Sequence, residues 1–428
     1  MIIKRDKYLN QLINHRGDDM IKVVTGIRRS GKSFLLFNLF YDYLKSTGVE
    51  ENQIVKINLD AKENECLRDV DKLYAEINSK IISDTKQYYV LLDELQYTIQ
   101  KEELKDRSQP LRVYDLLNSF THMRNVDVYV TGSNSKFLSR DVMTEFRGRS
   151  WPIHIQPLVF SEFYSARGGN FRDAWEEYLT YGGLPFILSL NSHEDKAKYL
   201  SSVFEEVYLK DIKERYSIKN DAGMDELINV IGSSVGSLTN PQRISKTFGS
   251  SNKRISEPTI TDYLQYLQDA FLIQKADRYD IKGRRYIGTP SKYYFSDIGI
   301  RNAHLNFRQQ ERNHLMENVI YNELVYRGFS VDVGVVPVNV TENGKHLKKQ
   351  YEVDFVANLF NKRYYIQSAL NVDTNDKLEQ EQRSLTNIPD GFKRVIVTEN
   401  TYIPWQTENG TLIIGLEDFL LKPNGLEL

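Results

Sequence analysis

The chain has 428 residues, 40% of them hydrophobic and 27% charged, with a formal net charge of −2 at pH 7. That length points to about three domains, and the near-neutral balance excludes a globally basic nucleic-acid binder, confining any such contact to a local patch. The single cysteine, Cys66, excludes an internal disulfide framework and an all-cysteine metal site. No run approaches the ~18 apolar residues of a membrane span, and the cations of residues 1–6 precede no apolar signal segment. A cytoplasmic protein without membrane contact is the expectation.

Residues 21–25 read as a short buried strand and residues 34–40 as an apolar helix. Between them lie Gly26, Ile27, Arg28, Arg29, Ser30, Gly31, Lys32 and Ser33, which fit the Walker A pattern at every fixed position. Glycines let such a loop fold tightly, so that its amides and the helix N-terminus form an anion cradle. In that arrangement Lys32 reaches the β- and γ-phosphates of ATP, and the Ser33 hydroxyl ligates Mg²⁺.

Residues 88–92 form an apolar run that ends in Asp93 and Glu94, the Walker B arrangement. Carboxylates at the C-terminal end of a parallel strand face the ligand crevice. Asp93 is expected to hold the metal with Ser33, and Glu94 to act as general base on the attacking water. A third strand, 126–130, leads into Thr131, Gly132, Ser133 and Asn134. Asn134 or Ser133 suits a γ-phosphate sensor, although the same residues would serve equally as a polar turn and helix cap. Arg147 and Arg149 precede a strand at 153–155; either could stabilise transition-state charge, in cis or from a neighbouring subunit of a homo-oligomer, or could line a lid.

These motifs together resemble a large prokaryotic AAA-type (AAA+ superfamily) ATPase family whose members also carry a C-terminal domain of unknown function. The resemblance implies an α/β P-loop NTPase core with a parallel sheet and a helical lid, then a winged helix and a nuclease-like end. Residues 1–156 would be the ATPase core and 157–222 the lid. Within the lid, Ser161 and Asp173 are read as helix starts, residues 196–215 as one long amphipathic helix, and 181–185, with Gly182, Gly183 and Pro185, as a tight turn that stops the helix.

Residues 223–300 read as three helices and a β-hairpin, the winged-helix arrangement, with a basic tip at Lys282, Arg284 and Arg285. With Lys253 and Arg254 these residues are the candidate DNA contacts. Asp262, Gln265, Gln268 and Asp269 leave the would-be recognition helix neutral to acidic, so a protein partner is an equal reading.

Residues 301–428 run helix, strand, strand, strand in an order that resembles the PD-(D/E)XK (restriction-endonuclease-like) fold. Glu317, Asp354 and Gln367 match three positions of its metal-binding set, and Ala369 stands where the fold places its lysine. Lys349 and Lys362 are the nearest replacements in sequence. Loss of that charge implies a degenerate, inactive site. The reading is therefore a Mg²⁺-dependent ATPase coupled to two accessory modules, or a slow nucleotide-gated switch on DNA or protein; an ATP-gated nuclease ranks behind both.

Overall fold

The computed structural model describes residues 2–100, 103, 111–132, 148–218, 220–250, 255–308, 311–342, 345–400 and 403–427. Asn134, Ser133, Arg147, Lys253 and Arg254 lie outside the described residues. The chain divides into two compact units, one of residues 1–157 with 269–271, the other of residues 158–268 with 272–428.

Among the described residues of the first unit, five parallel strands, β1 (Ile21–Thr25), β2 (Ile54–Asn58), β3 (Tyr88–Asp93), β4 (Val126–Thr131) and β5 (Ser150–His154), form one sheet in the order β2-β3-β4-β1-β5. Every residue of β1, β3 and β4 is buried, as expected of central parallel strands covered on both faces. Ile21, Val23, Val90, Leu92 and Val128 join Leu73, Leu117 and Phe120 from the flanking helices in one apolar core. Helix α1 (Asp6–Asn14) precedes the sheet. Helix α2 follows the glycine loop as a continuous run, Lys32–Phe34, Leu35–Phe40 and Tyr41–Ser46, whose middle segment is π-helical. This is the α/β fold of P-loop NTPases. β4 lies between β1 and β3, so the residue ending β4 stands between the ends of the other two.

The second unit opens with helices α3 (Phe160–Arg167), α4 (Phe171–Tyr181) and α5 (His193–Ser202); α5 runs on through Val203–Leu209 and Lys210–Arg215. The long helix over 196–215 is thus present. The caps differ from the sequence reading. Ser161 lies inside α3, which starts after Val159, and Asn170 rather than Asp173 caps α4 by accepting the Asp173 N–H at 2.8 Å. Asparagine in extended conformation reaches the third amide of a helix as aspartate would. Pro185 does not end helical structure but opens a 3₁₀ turn, Pro185–Ser189, where its missing N–H is no loss.

The Gly182–Gly183 turn is fixed by Asp297. Gly182 has φ of +70° and a Cβ there would lie 2.3 Å from the Asp297 carboxylate, while one on Gly183 would lie 2.0 Å from Leu158 O. Asp297 accepts from Gly183 N at 2.7 Å and caps the following helix through Ile300 N at 3.0 Å. Burial pushes its carboxyl up to about 6 against the pull of these backbone donors.

Helices α6 (Asp221–Ser233), α7 (Pro241–Ser250) and α8 (Glu257–Asp269) precede the hairpin β6 (Ile273–Asp280) and β7 (Arg285–Phe295). Helix α9 (Ile298–His304) and helix α10 (Arg312–Tyr326) come next, then β8 (Ser330–Glu342), β9 (Lys345–Leu359), β10 (Lys362–Ala369), helix α11 (Asn375–Thr386), β11 (Lys393–Thr398), β12 (Trp405–Gln406), β13 (Thr411–Gly415) and helix α12 (Leu416–Leu421). The hairpin read as a wing is not separate from the C-terminal strands. β6 pairs in parallel with β8 over Arg278–Asp280, and all these strands share one sheet, β12-β13-β11-β10-β9-β8-β6-β7.

Candidate functional site

The C-terminal ends of β1, β3, β4 and β5 bring the sequence-read phosphate site together. Gly26 leaves β1 with φ of +145°, and a Cβ there would stand 2.2 Å from Ile155 O, so only glycine lets the loop lie against the strand edge. Arg29 and Gly31 also take positive φ, 66° and 97°, curling the loop into the start of α2. Lys32 is buried, and its ammonium donates to Gly26 O and Ile27 O at 3.1 Å each. Burial lowers the Lys32 pKa, an effect that Glu94 and Asp93 oppose.

Ser33 Oγ donates to Asp93 Oδ1 at 3.0 Å. Asp93 is buried at the end of β3, where burial pushes its pKa up while bonds from Thr131 and Ser33 pull it down. Glu94 follows in the left-handed region, φ 55°, which turns the chain sharply after the strand. Its N–H donates to Thr131 Oγ1 at 3.0 Å, and Gln96 Nε2 donates to its side chain. Thr131 ends β4 and its hydroxyl also donates to Asp93. It thus joins the two acidic positions from between them.

Four residues here, Thr131, Arg5, Tyr8 and His154, are missed by sequence reasoning. Thr131 was passed over for its polar neighbours. Arg5, buried, donates to Ser30 O at 3.1 Å and Gln156 O at 2.7 Å, bracing the loop from outside, and Tyr8 OH accepts from Gln156 N at 3.2 Å. His154, at the end of β5, lies 3.3 Å from Thr25 Oγ1, and burial beside Lys32 lowers it to about 4. The signals were weak: an arginine ahead of a short helix, and a lone histidine ending a strand.

Arg149 is placed elsewhere. It precedes β5, and its carbonyl accepts from Ile21 N at 2.9 Å, at the start of β1. Ile21 pairs with Ser150 and Thr25 with His154, so five residues of parallel strand, ~16 Å at 3.3 Å per residue, separate Arg149 from the loop. A catalytic role for Arg149 at its own chain's loop is therefore corrected; the sequence shows an arginine near a strand but not at which end the phosphates lie.

The donor set suits MgATP. A Cβ on Gly26 would stand 3.3 Å from Ser30 Oγ as well as against Ile155 O, the Ser30 hydroxyl is buried with no hydrogen-bond partner among the described residues, and a hydroxyl and a carboxylate stand together as hard oxygen donors of the kind magnesium takes.

In the second unit, Glu317 on α10, Asp354 on β9 and Gln367 on β10 also come together, lining a cavity of about 400 Å³ with Glu352 and Glu381. Asp354 N donates to Gln367 Oε1 at 3.4 Å, and Asp354 Oδ2 accepts from Ser368 N at 2.9 Å. The lysine at this site is neither Lys349 nor Lys362. Lys292, on β7, brings its ammonium to 2.8 Å from Glu317 and 3.3 Å from Asp354. Lys362 instead pairs with Glu427 at 2.6 Å. Ala369 packs in an apolar cluster with Val372, Leu385 and Ile388. Lys282, Arg284 and Arg285 are exposed at the turn between β6 and β7, with Arg285 3.8 Å from Asp280.

Fold and site define an AAA-type P-loop ATPase domain, and residues 18–164 match the family model described as "AAA domain". Residues 172–311 match a "Domain of unknown function (DUF8612)", a span that takes in most of the segments expected from sequence to be lid and winged helix and little of residues 301–428. The chain belongs to the family of an "Uncharacterized protein" of Haemophilus influenzae, to which it is 32% identical over 427 residues, 98% of this chain and 99% of that one. It is also similar to "Uncharacterized protein MJ1544" of Methanocaldococcus jannaschii, 27% identical over 83% of this chain and 76% of that one. Among solved structures it is similar to the Walker-type ATPase PABY2304 of Pyrococcus abyssi, 13% identical over 71% of this chain and 96% of that one, with a TM-score of 0.49. No helix among the described residues is long and apolar enough to cross a membrane.

Proposed function

We propose that the protein binds and hydrolyses MgATP at the loop of residues 26–33 and couples nucleotide state to the modules of its second unit. The observation that carries this reading is the meeting of Ser33 Oγ and Asp93 Oδ1 at 3.0 Å beside the buried Lys32. Lys32 and the loop amides would bind phosphate oxygens, and Ser33 with Asp93 would hold the ion. Bound magnesium would offset charge on the β- and γ-phosphates. Glu94 would take the proton of the attacking water, with Gln96 and Thr131 orienting it. An arginine acting on the γ-phosphate would be Arg147 of the same chain, or an arginine of a neighbouring copy. The test is nucleotide binding and turnover: Lys32→Ala abolishes binding, whereas Glu94→Gln binds ATP but hydrolyses it about 10²-fold more slowly or worse. Wild-type turnover in both variants would defeat the assignment.

A second reading, a slow nucleotide-gated switch on DNA, draws on the exposed cations Lys282, Arg284 and Arg285, with Lys253 and Arg254 adding charge nearby in sequence. A DNA-driven motor is stimulated by DNA; a switch instead changes its DNA affinity with nucleotide state. Replacing the three hairpin cations with alanine should weaken DNA binding and flatten its salt dependence. The C-terminal part keeps a nuclease-like arrangement without the reaction, a reading favoured by the packing of Ala369 in an apolar cluster.

A further inference from the structure

The nuclease-like reading implies a divalent ion held by Glu317 and Asp354, and the residues present do not fit one. The Lys292 ammonium lies 2.8 Å from Glu317 Oε1, 2.8 Å from Glu352 Oε1 and 3.3 Å from Asp354 Oδ1, and its side chain is 2% exposed. The two 2.8 Å contacts, to Glu317 and Glu352, have the length of charge-assisted bonds between an ammonium and carboxylates, and the Asp354 contact is longer. A magnesium ion bound by the same oxygens needs them at about 2.1 Å in near-octahedral array. It would fall within a few ångströms of the lysine, a like-charge contact that burial leaves poorly screened.

We infer that Lys292 is a built-in cation which stands in the place of a divalent metal between Glu317 and Asp354, making this pocket a metal-excluding site.

The surrounding bonds fix the substitution. Tyr294, two residues along the same strand, donates to Glu317 Oε1 at 2.7 Å, so two side chains of β7 address one carboxylate oxygen. The second Asp354 oxygen is taken by Ser368 N at 2.9 Å. Gln367 accepts from Asp354 N through its carbonyl oxygen, the atom a metal would need. Burial works against the Lys292 ammonium, yet Glu317, Asp354 and Glu352 together hold its pKa above the ordinary lysine value. The topology permits the reach: β6 pairs with β8 only over Arg278–Asp280, whereas Lys292 pairs with Ala276, beyond that stretch. A catalytic lysine of this fold would stand beside the metal to orient water; this one stands between the ligands.

The experiment is Mn²⁺ titration calorimetry on the full chain without nucleotide, comparing wild type, Asp354→Asn, Lys292→Met and the double variant, so that any binding at the phosphate loop is common to all four. Wild type and Asp354→Asn should bind Mn²⁺ alike, while Lys292→Met should gain a site at least tenfold tighter than any in wild type, lost again in the double variant. Wild-type binding that Asp354→Asn removes overturns the proposal, as does a folded Lys292→Met that gains no site. Should Lys292→Met not fold, the wild-type comparison alone decides. Metal-dependent DNA cleavage that Asp354→Asn abolishes in otherwise wild-type protein would also overturn it.

Discussion

Ser33 Oγ and Asp93 Oδ1, sixty residues apart in sequence, meet at 3.0 Å because β1 and β3 run parallel on either side of β4 and deliver both to one edge. Thr131, ending the strand between, donates to the same Asp93 oxygen. Two residues that share one hydrogen bond, and that would share the ion of the proposed MgATP site, are not independent. Ser33→Ala and Asp93→Asn should each lower kcat/KM for MgATP, and the double variant should lose less than the summed effects, with a coupling of about 1 kcal/mol or more. Steady-state ATPase kinetics on the four proteins measure it; strict additivity would separate the two residues functionally.

Gly26 is held by geometry rather than by chemistry of its own. A Cβ at 2.2 Å from Ile155 O has no flexible side chain to push aside, only backbone. Gly26→Ala should therefore destabilise the loop by about 2 kcal/mol and raise the Kd for a fluorescent ATP analogue at least tenfold. Gly148→Ala, at positive φ but in open space, is the control and should leave the nucleotide Kd unchanged.

The meeting of the loop with Asp93 is legible in sequence because strand, loop, helix and acidic strand end recur as a local order, and parallel topology then places their ends together. What was illegible depended on contacts between distant segments. Lys292 reads in sequence as one cation in a strand, since nothing local shows that Glu317, 25 residues on, and Asp354, 62 residues on, will close around it. The position of Arg149 relative to its own chain's loop is illegible for the reciprocal reason: closeness to a strand does not say at which end of it the loop lies. The hairpin of β6 and β7 was legible as a hairpin, but its pairing with β8 rests on three residues, Arg278–Asp280, with no distinguishing pattern.

His154 gives the ATPase unit an acid sensitivity. Burial beside Lys32 lowers its pKa from 6.5 to about 4, so between these values the unfolded chain binds a proton that the folded protein refuses. Stability contributed by the neutral ring is full above pH 6.5 and falls as pH drops toward 4. Some solvent access at the ring trims the loss, to about 1 kcal/mol by pH 5. Urea unfolding at pH 7.5 and pH 5 should show this loss in wild type and not in His154→Asn. An equal pH dependence in both proteins would remove His154 as its source.

Glu399 lies at the centre of a bridge within the second unit. It accepts from Trp175 Nε1 at 2.7 Å and from Arg312 Nε at 2.6 Å, while the two terminal nitrogens of Arg312 bind Glu176 at 2.8 and 2.6 Å. Arg312 opens α10, the helix that carries Glu317, and Trp175 and Glu176 lie on α4. The two carboxylates differ in surroundings, Glu399 being 17% exposed and Glu176 50%. Glu399→Ala strands the buried indole N–H and half of the guanidinium, which should destabilise the unit by about 1–3 kcal/mol. Glu176→Ala removes only an ion pair open to water, worth about 1 kcal/mol at most. Thermal unfolding followed by tryptophan emission reads both, and Glu399→Ala alone should also shift the emission of the folded state, because only that substitution changes the hydrogen bond of the Trp175 ring. Equal losses from the two variants would place the strength of the bridge in the Arg312–Glu176 pair instead.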